Sequence, residues 1–210
     1  MTGALQKIDR RKELAAFYTA KAAPGVVDVP ALDYLMIDGE GDPNTSKDFA
    51  AAVEALYRVS YTLKFTLRNG PEQLDYAVMP LEGLWWADDM TAFETADRTA
   101  WKWTLMIAQP PSLKEAVITS AIALVQTKKP QVTAVGKLRF DRWTEGQSAQ
   151  LLHIGPYNTE APNIVRLHEF IAALPGRMTG KHHEIYLNDM RRTAPERLKT
   201  IIRQPFKPGK

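Results

Sequence analysis

An order of amphipathic patterns that occurs twice constrains the fold more than any single motif. Residues 32–108 read as strand, helix, strand, strand, and residues 148–203 read the same way. In the first half, Leu32 to Asp38 forms a strand that stops at Gly39-Glu40-Gly41-Asp42-Pro43. Ser46 then caps a long helix with the stripe Phe49, Val53, Leu56, Tyr57, Ser60, Leu63 and Leu67, ended by Asn69-Gly70-Pro71. Leu74 to Leu84 and Trp101 to Ala108 supply the two following strands. The second half opens with a hairpin, Lys137 to Thr144 and Ser148 to Ile154, turning at Glu145-Gly146. Gly155-Pro156-Tyr157-Asn158 breaks it. A helix on Ile164, Leu167, Phe170, Ile171 and Leu174 follows, then strands over His182 to Asn188 and Lys199 to Arg203. Between the halves, Ser112 is placed as the cap of a helix carrying Leu113, Val117, Ala121, Leu124 and Val125.

The expected fold is therefore α+β, a tandem pseudo-twofold repeat of strand-helix-strand-strand units over about 32–108 and 137–205. The repeat fills a domain of residues 31–210 behind an N-terminal arm of residues 1–30. Helices covering one sheet face of each unit leave the opposite faces to form a central ligand cleft.

Composition narrows the function classes. A chain of 210 residues with 45% hydrophobic and 24% charged residues builds a real core. The absence of cysteine excludes disulfides, thiolate zinc sites, iron–sulfur clusters and a thiol nucleophile. Lys and Arg total 27 against 24 Asp and Glu, and the densest basic cluster (Arg191, Arg192, Arg197, Lys199, Arg203) is interrupted, so no direct nucleic-acid partner is expected. No apolar run reaches the ~18 residues of a membrane span, and charged residues interrupt the N-terminus, so the expected address is the cytoplasm with no membrane partner. GxGxxG, GxxxxGK[ST], GxSxG and HExxH are all missing, and the four histidines come from separate elements or opposite strand faces. Neither a metal nor a cofactor is expected.

Three segments carry candidate chemistry. On the strand from Lys181 to Asn188, alternation places His183, Ile185 and Leu187 on one face and His182, Glu184, Tyr186 and Asn188 on the other. If the aliphatic face packs on helices, Glu184 and Tyr186 point into the groove, where a desolvated carboxylate acts as a proton acceptor. The competing assignment is an exposed Glu184 paired with a lysine or arginine. The five tryptophans, Trp85, Trp86, Trp101, Trp103 and Trp143, all lie in the middle of the chain. They suit either a stacking box for a flat ligand or a tryptophan-rich core. Glu82 reads as turn-like, a second acid or a solvated residue. In His153-Ile154-Gly155-Pro156-Tyr157, the Gly-Pro turn aims Tyr157 across a cleft mouth as an acid, or packs it on its own helix.

The duplicated layout resembles the GyrI-like small-molecule-binding superfamily from about residue 30 onward. The resemblance is carried by His153-Ile154-Gly155-Pro156-Tyr157, by His183-Glu184-Ile185-Tyr186-Leu187-Asn188-Asp189, and by Arg191-Arg192-Thr193 through Gln204-Pro205. It implies a pseudo-twofold cleft centred on Glu184. With only about thirty residues before the first strand, a stand-alone protein is expected rather than a DNA-binding regulator. Glu82-Gly83-Leu84-Trp85-Trp86 with Trp101-Lys102-Trp103 resembles a narrower subfamily, the cyclopropanoid cyclopropyl hydrolases, which destroy yatakemycin- and duocarmycin-type DNA-alkylating agents.

That resemblance implies catalysis by Glu184, which activates water, and by Tyr157 or Tyr186 as phenol donor. The ligand is then lined by Trp85, Trp101, Trp103, Trp143, Tyr186 and His153. A variant has Glu184 attack as nucleophile. The partner is a hydrophobic aromatic small molecule. A non-catalytic multidrug-sequestering protein is the alternative, and a gyrase-interaction module a third for which no residue speaks.

Overall fold

The computed structural model describes residues 5–88, 98–111 and 113–209. Ser112, the expected helix cap, lies outside the described residues. The chain divides into two compact units, Met1–Glu13, Leu32–Met79 and Ala87–Trp143 in the first, and Leu14–Ala31, Pro80–Trp86 and Thr144–Lys210 in the second.

The first unit is built on β2 (Gly25–Glu40) from Leu32 onward. It pairs antiparallel with β5 (Lys102–Ala108) from Tyr34↔Ala108 to Glu40↔Lys102. The long helix α3 (Lys47–Asn69) starts where expected, Ser46 Oγ accepting the Phe49 N–H at 3.2 Å. It buries Ala52, Ala55, Leu56, Val59, Ser60, Leu63 and Leu67. A further helix, α4 (Glu115–Lys128), buries Ile118, Ala121 and Val125. Near the N-terminus β1 (Gln6–Ile8) runs parallel to β3 (Leu74–Tyr76), beside the single-turn helix α1 (Arg10–Glu13).

The strand expected over Leu74 to Leu84 is two strands. β3 ends at Tyr76, and β4 (Leu81–Trp86) starts after Pro80, which has no N–H to continue a ladder. The expected hairpin at Glu145-Gly146 does not form either. One continuous strand, β6 (Arg139–Ile154), runs through it, with Gly146 at φ +74°. The reason is tertiary, because Glu145 is anchored in the interior by partners described below.

In the second unit β9 (Lys199–Pro208) lies between β6 and β8 (His182–Tyr186), and β8 pairs with β4. The short β7 (Gly176–Met178) pairs with the end of β9. Directly opposed residues share a face, so the registers define two. Gly83, Trp85, His182, Glu184, Tyr186, Thr200, Ile202, Leu151 and His153 lie on one; Glu82, His183, Ile185, Ile201, Arg203 and Gln150 lie on the other. Helix α5 (Ala161–Ala173) packs Leu167 and Ile171 on Ala149, Leu151, Ile202 and Phe206, which puts it on the Glu184 face. The expectation that the helix covers the aliphatic face is thereby reversed. That face meets the arm instead, through the short helix α2 (Ala15–Tyr18). Among the described residues, no helix is long and apolar enough to cross a membrane.

Candidate functional site

Period-two alternation on β8 brings His182, Glu184 and Tyr186 to one side, each half-buried, while His183 and Ile185 are buried on the other. Tyr186 Oη donates to Glu184 Oε2 at 2.8 Å, and His182 Nε2 lies 3.3 Å from Glu184 Oε1. From β4, Trp85 Nε1 donates to Tyr186 Oη at 3.2 Å. This contact explains the glycine of Glu82-Gly83-Leu84. A β-carbon at position 83 would lie 2.9 Å from Trp85 Nε1 and 3.1 Å from Tyr186 Oη, inside contact distance. Tyr157 sets its ring edge-on to Tyr186, with centroids 5.5 Å apart. The Glu184 side chain retains 16% exposure, enough for a ligand to touch it.

A second carboxyl joins it. Glu160, at the N-terminus of α5 after the turn Tyr157–Thr159, is 3% exposed. Burial, reinforced by the charge of Glu184, pushes Glu160 up to about 9. Burial would raise Glu184 too, but hydrogen bonding and charge from His182, with hydrogen bonds from Tyr186 and Glu160, hold it below the usual glutamate value. Two interacting carboxyls thus share one proton, and Glu160 keeps it at neutral pH. A side-chain hydrogen bond from Thr200, also buried, opposes part of that rise in Glu160. Burial and the Glu184 charge raise Tyr186 well above the ordinary phenol value, so its proton stays committed to Glu184.

His153 organises the turn that delivers Tyr157 and Glu160. Asn163 Nδ2 donates to its Nδ1 at 2.9 Å, which leaves Nε2 as the donor toward Pro156 O at 3.3 Å. Gly155, at φ +139°, makes this possible; a β-carbon there would press on His153 and Thr159 at 3.2 Å.

The other face of β8 holds a buried ion network. His183 Nε2 meets Glu82 Oε2 at 3.0 Å, and Nδ1 meets Glu145 Oε1 at 2.9 Å. Arg203 Nη1 donates to Glu145 Oε2 at 2.8 Å and Nε donates to Gln150 Oε1 at 3.0 Å. The arm closes the circuit, with Tyr18 Oη donating to Glu82 Oε1 at 2.6 Å and Arg203 donating to Phe17 O. Burial alone would raise Glu145, but His183 and Arg203 pull it down to about 2. Burial disfavours a charged His183, yet Glu145 and Glu82 raise it above the usual histidine value. Two cations thus answer two carboxylates, as desolvated charges require. Glu82 is no solvated turn residue; its side chain is 1% exposed.

Of the residues singled out in the sequence, Glu184, Tyr186, Tyr157 and Trp85 come together. His153 adjoins them as the organiser of the turn. Trp86 lies on the opposite face, where the Lys181 ammonium sits over its ring. Trp103 is 1% exposed in the first unit, edge-on to Phe49 at 5.2 Å. Trp101 stacks under Arg98 at 5.0 Å and Trp143 meets Tyr34 edge-on at 6.1 Å, both half-buried in that unit. Sequence reasoning missed Glu160. Its signal was a glutamate directly before Ala161-Pro162, an N-cap position that Ser, Thr, Asp or Asn usually fills.

The GyrI-like small-molecule-binding domain matches residues 23–207. No curated protein matches. Among solved structures, an uncharacterised conserved protein from Listeria innocua is 37% identical, with a TM-score of 0.88 over 95% of this chain and 100% of its own. A protein from Listeria innocua described as a hydrolase is 36% identical, with a TM-score of 0.83 over the same shares. The C-terminal domain of EcmrR shares the fold, with 10% identity and a TM-score of 0.54 over 89% of this chain and 98% of that domain.

Proposed function

The chain belongs to the GyrI-like small-molecule-binding family, and we propose that it is a hydrolase of planar electrophilic xenobiotics of the yatakemycin and duocarmycin type. The observation that carries this is the ionised, partly exposed Glu184, bordered by Trp85, Tyr157 and Tyr186 and kept anionic by a neighbour that holds the proton. The hydrolase relative supports turnover over sequestration.

The substrate is a spirocyclopropane conjugated to a dienone. Glu184 takes a proton from water, and the water oxygen bonds to the strained methylene. The carbon–carbon bond breaks, its electron pair flows into the dienone, and an aromatic phenolate forms that takes a proton from Tyr157 or solvent. Trp85 stacks on the flat drug and excludes bulk water. Trp101 and Trp143 belong to the first unit and are given no part in this step. Trp103 and His153 are assigned structural parts, as a core indole and as the organiser of the turn.

The test is drug consumption at substoichiometric protein. Wild type consumes many equivalents, and Glu184→Gln loses about 100-fold or more of the rate. Loss of no more than one equivalent by wild type would make the protein a sequestering binder. Equal turnover by both proteins would remove Glu184 from the mechanism, and a trapped ester on Glu184 would make it the nucleophile.

A further inference from the structure

Helix α3 carries a surface that the repeated architecture does not require. It is 23 residues long against 13 in α5, its counterpart in the strand–helix–strand–strand repeat, so Ser60 to Asn69 are additional turns. Inward, those turns bury Ser60, Leu63 and Leu67. Outward, they continue an aromatic ladder. Tyr57 stacks on Tyr61 with ring centroids 6.4 Å apart, and Tyr61 stacks on Phe65 at 6.5 Å. Tyr61 and Phe65 are 48% and 49% exposed, although the outer stripe of a surface helix is ordinarily polar. Exposed charges of opposite sign flank the ladder, Glu54 before it and Arg68 after it, each seven residues from Tyr61. Seven residues are two helical turns, so Glu54, Tyr61 and Arg68 lie on one seam of the helix. The other basic residues nearby are already engaged. Arg58 meets Glu54 at 3.5 Å, and Lys64 is drawn aside by Asp75 at 2.6 Å and by the Tyr76 carbonyl.

We infer that this face of α3 pairs antiparallel with the same face of a second copy of the chain, about a twofold axis through Tyr61. An interface between identical surfaces has to be complementary to itself. In this arrangement Tyr61 meets Tyr61, Tyr57 meets Phe65 twice, and Glu54 of each copy meets Arg68 of the other. A parallel pair would instead set Glu54 on Glu54 and Arg68 on Arg68, so the change of sign across Tyr61 selects the antiparallel direction. The overlap covers residues 53–69 of both helices, a contact about 25 Å long. Helix α4, which packs on α3, has no charged side chain between Glu115 and Lys128 and leaves Leu124 exposed, adding apolar surface to the same helical layer. Aromatic rings at the centre with charges at the ends are the usual anatomy of a protein–protein contact. An anionic membrane is a poorer match, because Glu54 stands on the seam and such a surface favours Lys and Arg alone.

The experiment is sedimentation velocity on the whole protein over a concentration series. Wild type should reach a dimer, and Tyr61→Glu should remain a monomer. Glu54→Arg and Arg68→Glu should each weaken the dimer about tenfold, because each puts like charges together at both ends of the contact. Mixing these two variants should restore a dimer, since Arg at position 54 of one then faces Glu at position 68 of the other. That recovery also shows both variants to be folded. A wild type that stays monomeric overturns the pairing, as does a dimer that Tyr61→Glu leaves intact. Charge variants that weaken the dimer singly but do not recover on mixing overturn the antiparallel register. A monomeric wild type that binds phosphatidylglycerol vesicles, with binding lost in Tyr61→Glu, overturns the second copy as occupant and gives the face to a membrane surface.

Discussion

Near the end of the first strand of the first unit, Gly39 pairs with Trp103; at the matching place in the second unit, His153 pairs with Thr200. The strands end at Glu40 and Ile154, and the next helices start at Lys47 and Ala161, the same distance along the chain. Phe49 and Asn163 are therefore equivalent, and each reaches back to that pair. Phe49 packs on the Trp103 ring, whereas Asn163 hydrogen-bonds His153. Just before each helix stands Ser46 or Glu160. The first unit removes every side-chain atom at position 39, where a β-carbon would lie 2.2 Å from the Trp103 ring, and fills the space with indole. The second puts polar groups at the same backbone positions and adds a carboxyl that keeps its proton. One architecture thus yields an apolar plug in one copy and a buried pair of carboxyls in the other.

The polar copy stands on its buried ions, so the largest effect is expected there. His183→Leu should cost about 4 kcal/mol, read from the urea midpoint, because Glu82 and Glu145 would remain buried without their shared cation. An unchanged midpoint would mean that the network contributes nothing. The pH dependence carries the same signature. The contribution of Glu145 is present above about pH 4.5 and is lost as the pH falls toward 2. That of His183 is present below about 6.5 and is lost as the pH rises through its raised folded value. Stability should therefore peak between about 4.5 and 6.5, and His183→Leu should flatten the alkaline decline.

Trp103→Ala should remove about 3 kcal/mol of stability by opening a cavity in the apolar copy. The matching change in the polar copy, Thr200→Val, should leave the melting temperature within about 3 °C while lowering turnover. Equal effects on stability and activity from the two variants would erase the distinction between plug and site.

Glu160→Gln should stabilise the fold, on the order of 2 kcal/mol at pH 8. A folded-state value raised to about 9 makes the wild type progressively less stable as the pH climbs from 4.5, and the variant escapes that decline. A variant no more stable than wild type at pH 8 would show that Glu160 ionises freely. The smallest effect is expected from Gly83→Ala, about 1 kcal/mol in stability. Its methyl group would displace Trp85 from Tyr186, so a larger change should appear in drug affinity by tryptophan fluorescence.

Much of this was legible along the chain. The strand–helix–strand–strand order, the Ser46 cap, the helix end at Asn69 and the side of β8 that carries Glu184 all follow from periodicity and local backbone chemistry. Glu145-Gly146 misled because an isolated Glu-Gly reads as a solvated turn; only His183 and Arg203, distant in sequence, convert it into an anchored strand residue. Trp103 misled for a similar reason. A tryptophan at a strand end suits a ligand box and a core equally, and the choice depends on whether a glycine lies opposite.

The sequence alone determined the faces, because alternation on a strand is local and commits Glu184 and Tyr186 to one side and His183 to the other. It also determined the chemistry on offer, since a chain without cysteine must work with carboxylates, phenols, imidazoles and indoles. The tertiary structure decided which cover each face receives: α5 over the Glu184 side, the N-terminal arm over the His183 side. It also brought Glu160 beside Glu184, and only that meeting divides one proton between two glutamates. Proton affinity depends on charges and burial within a few ångströms, and those distances are set by the fold.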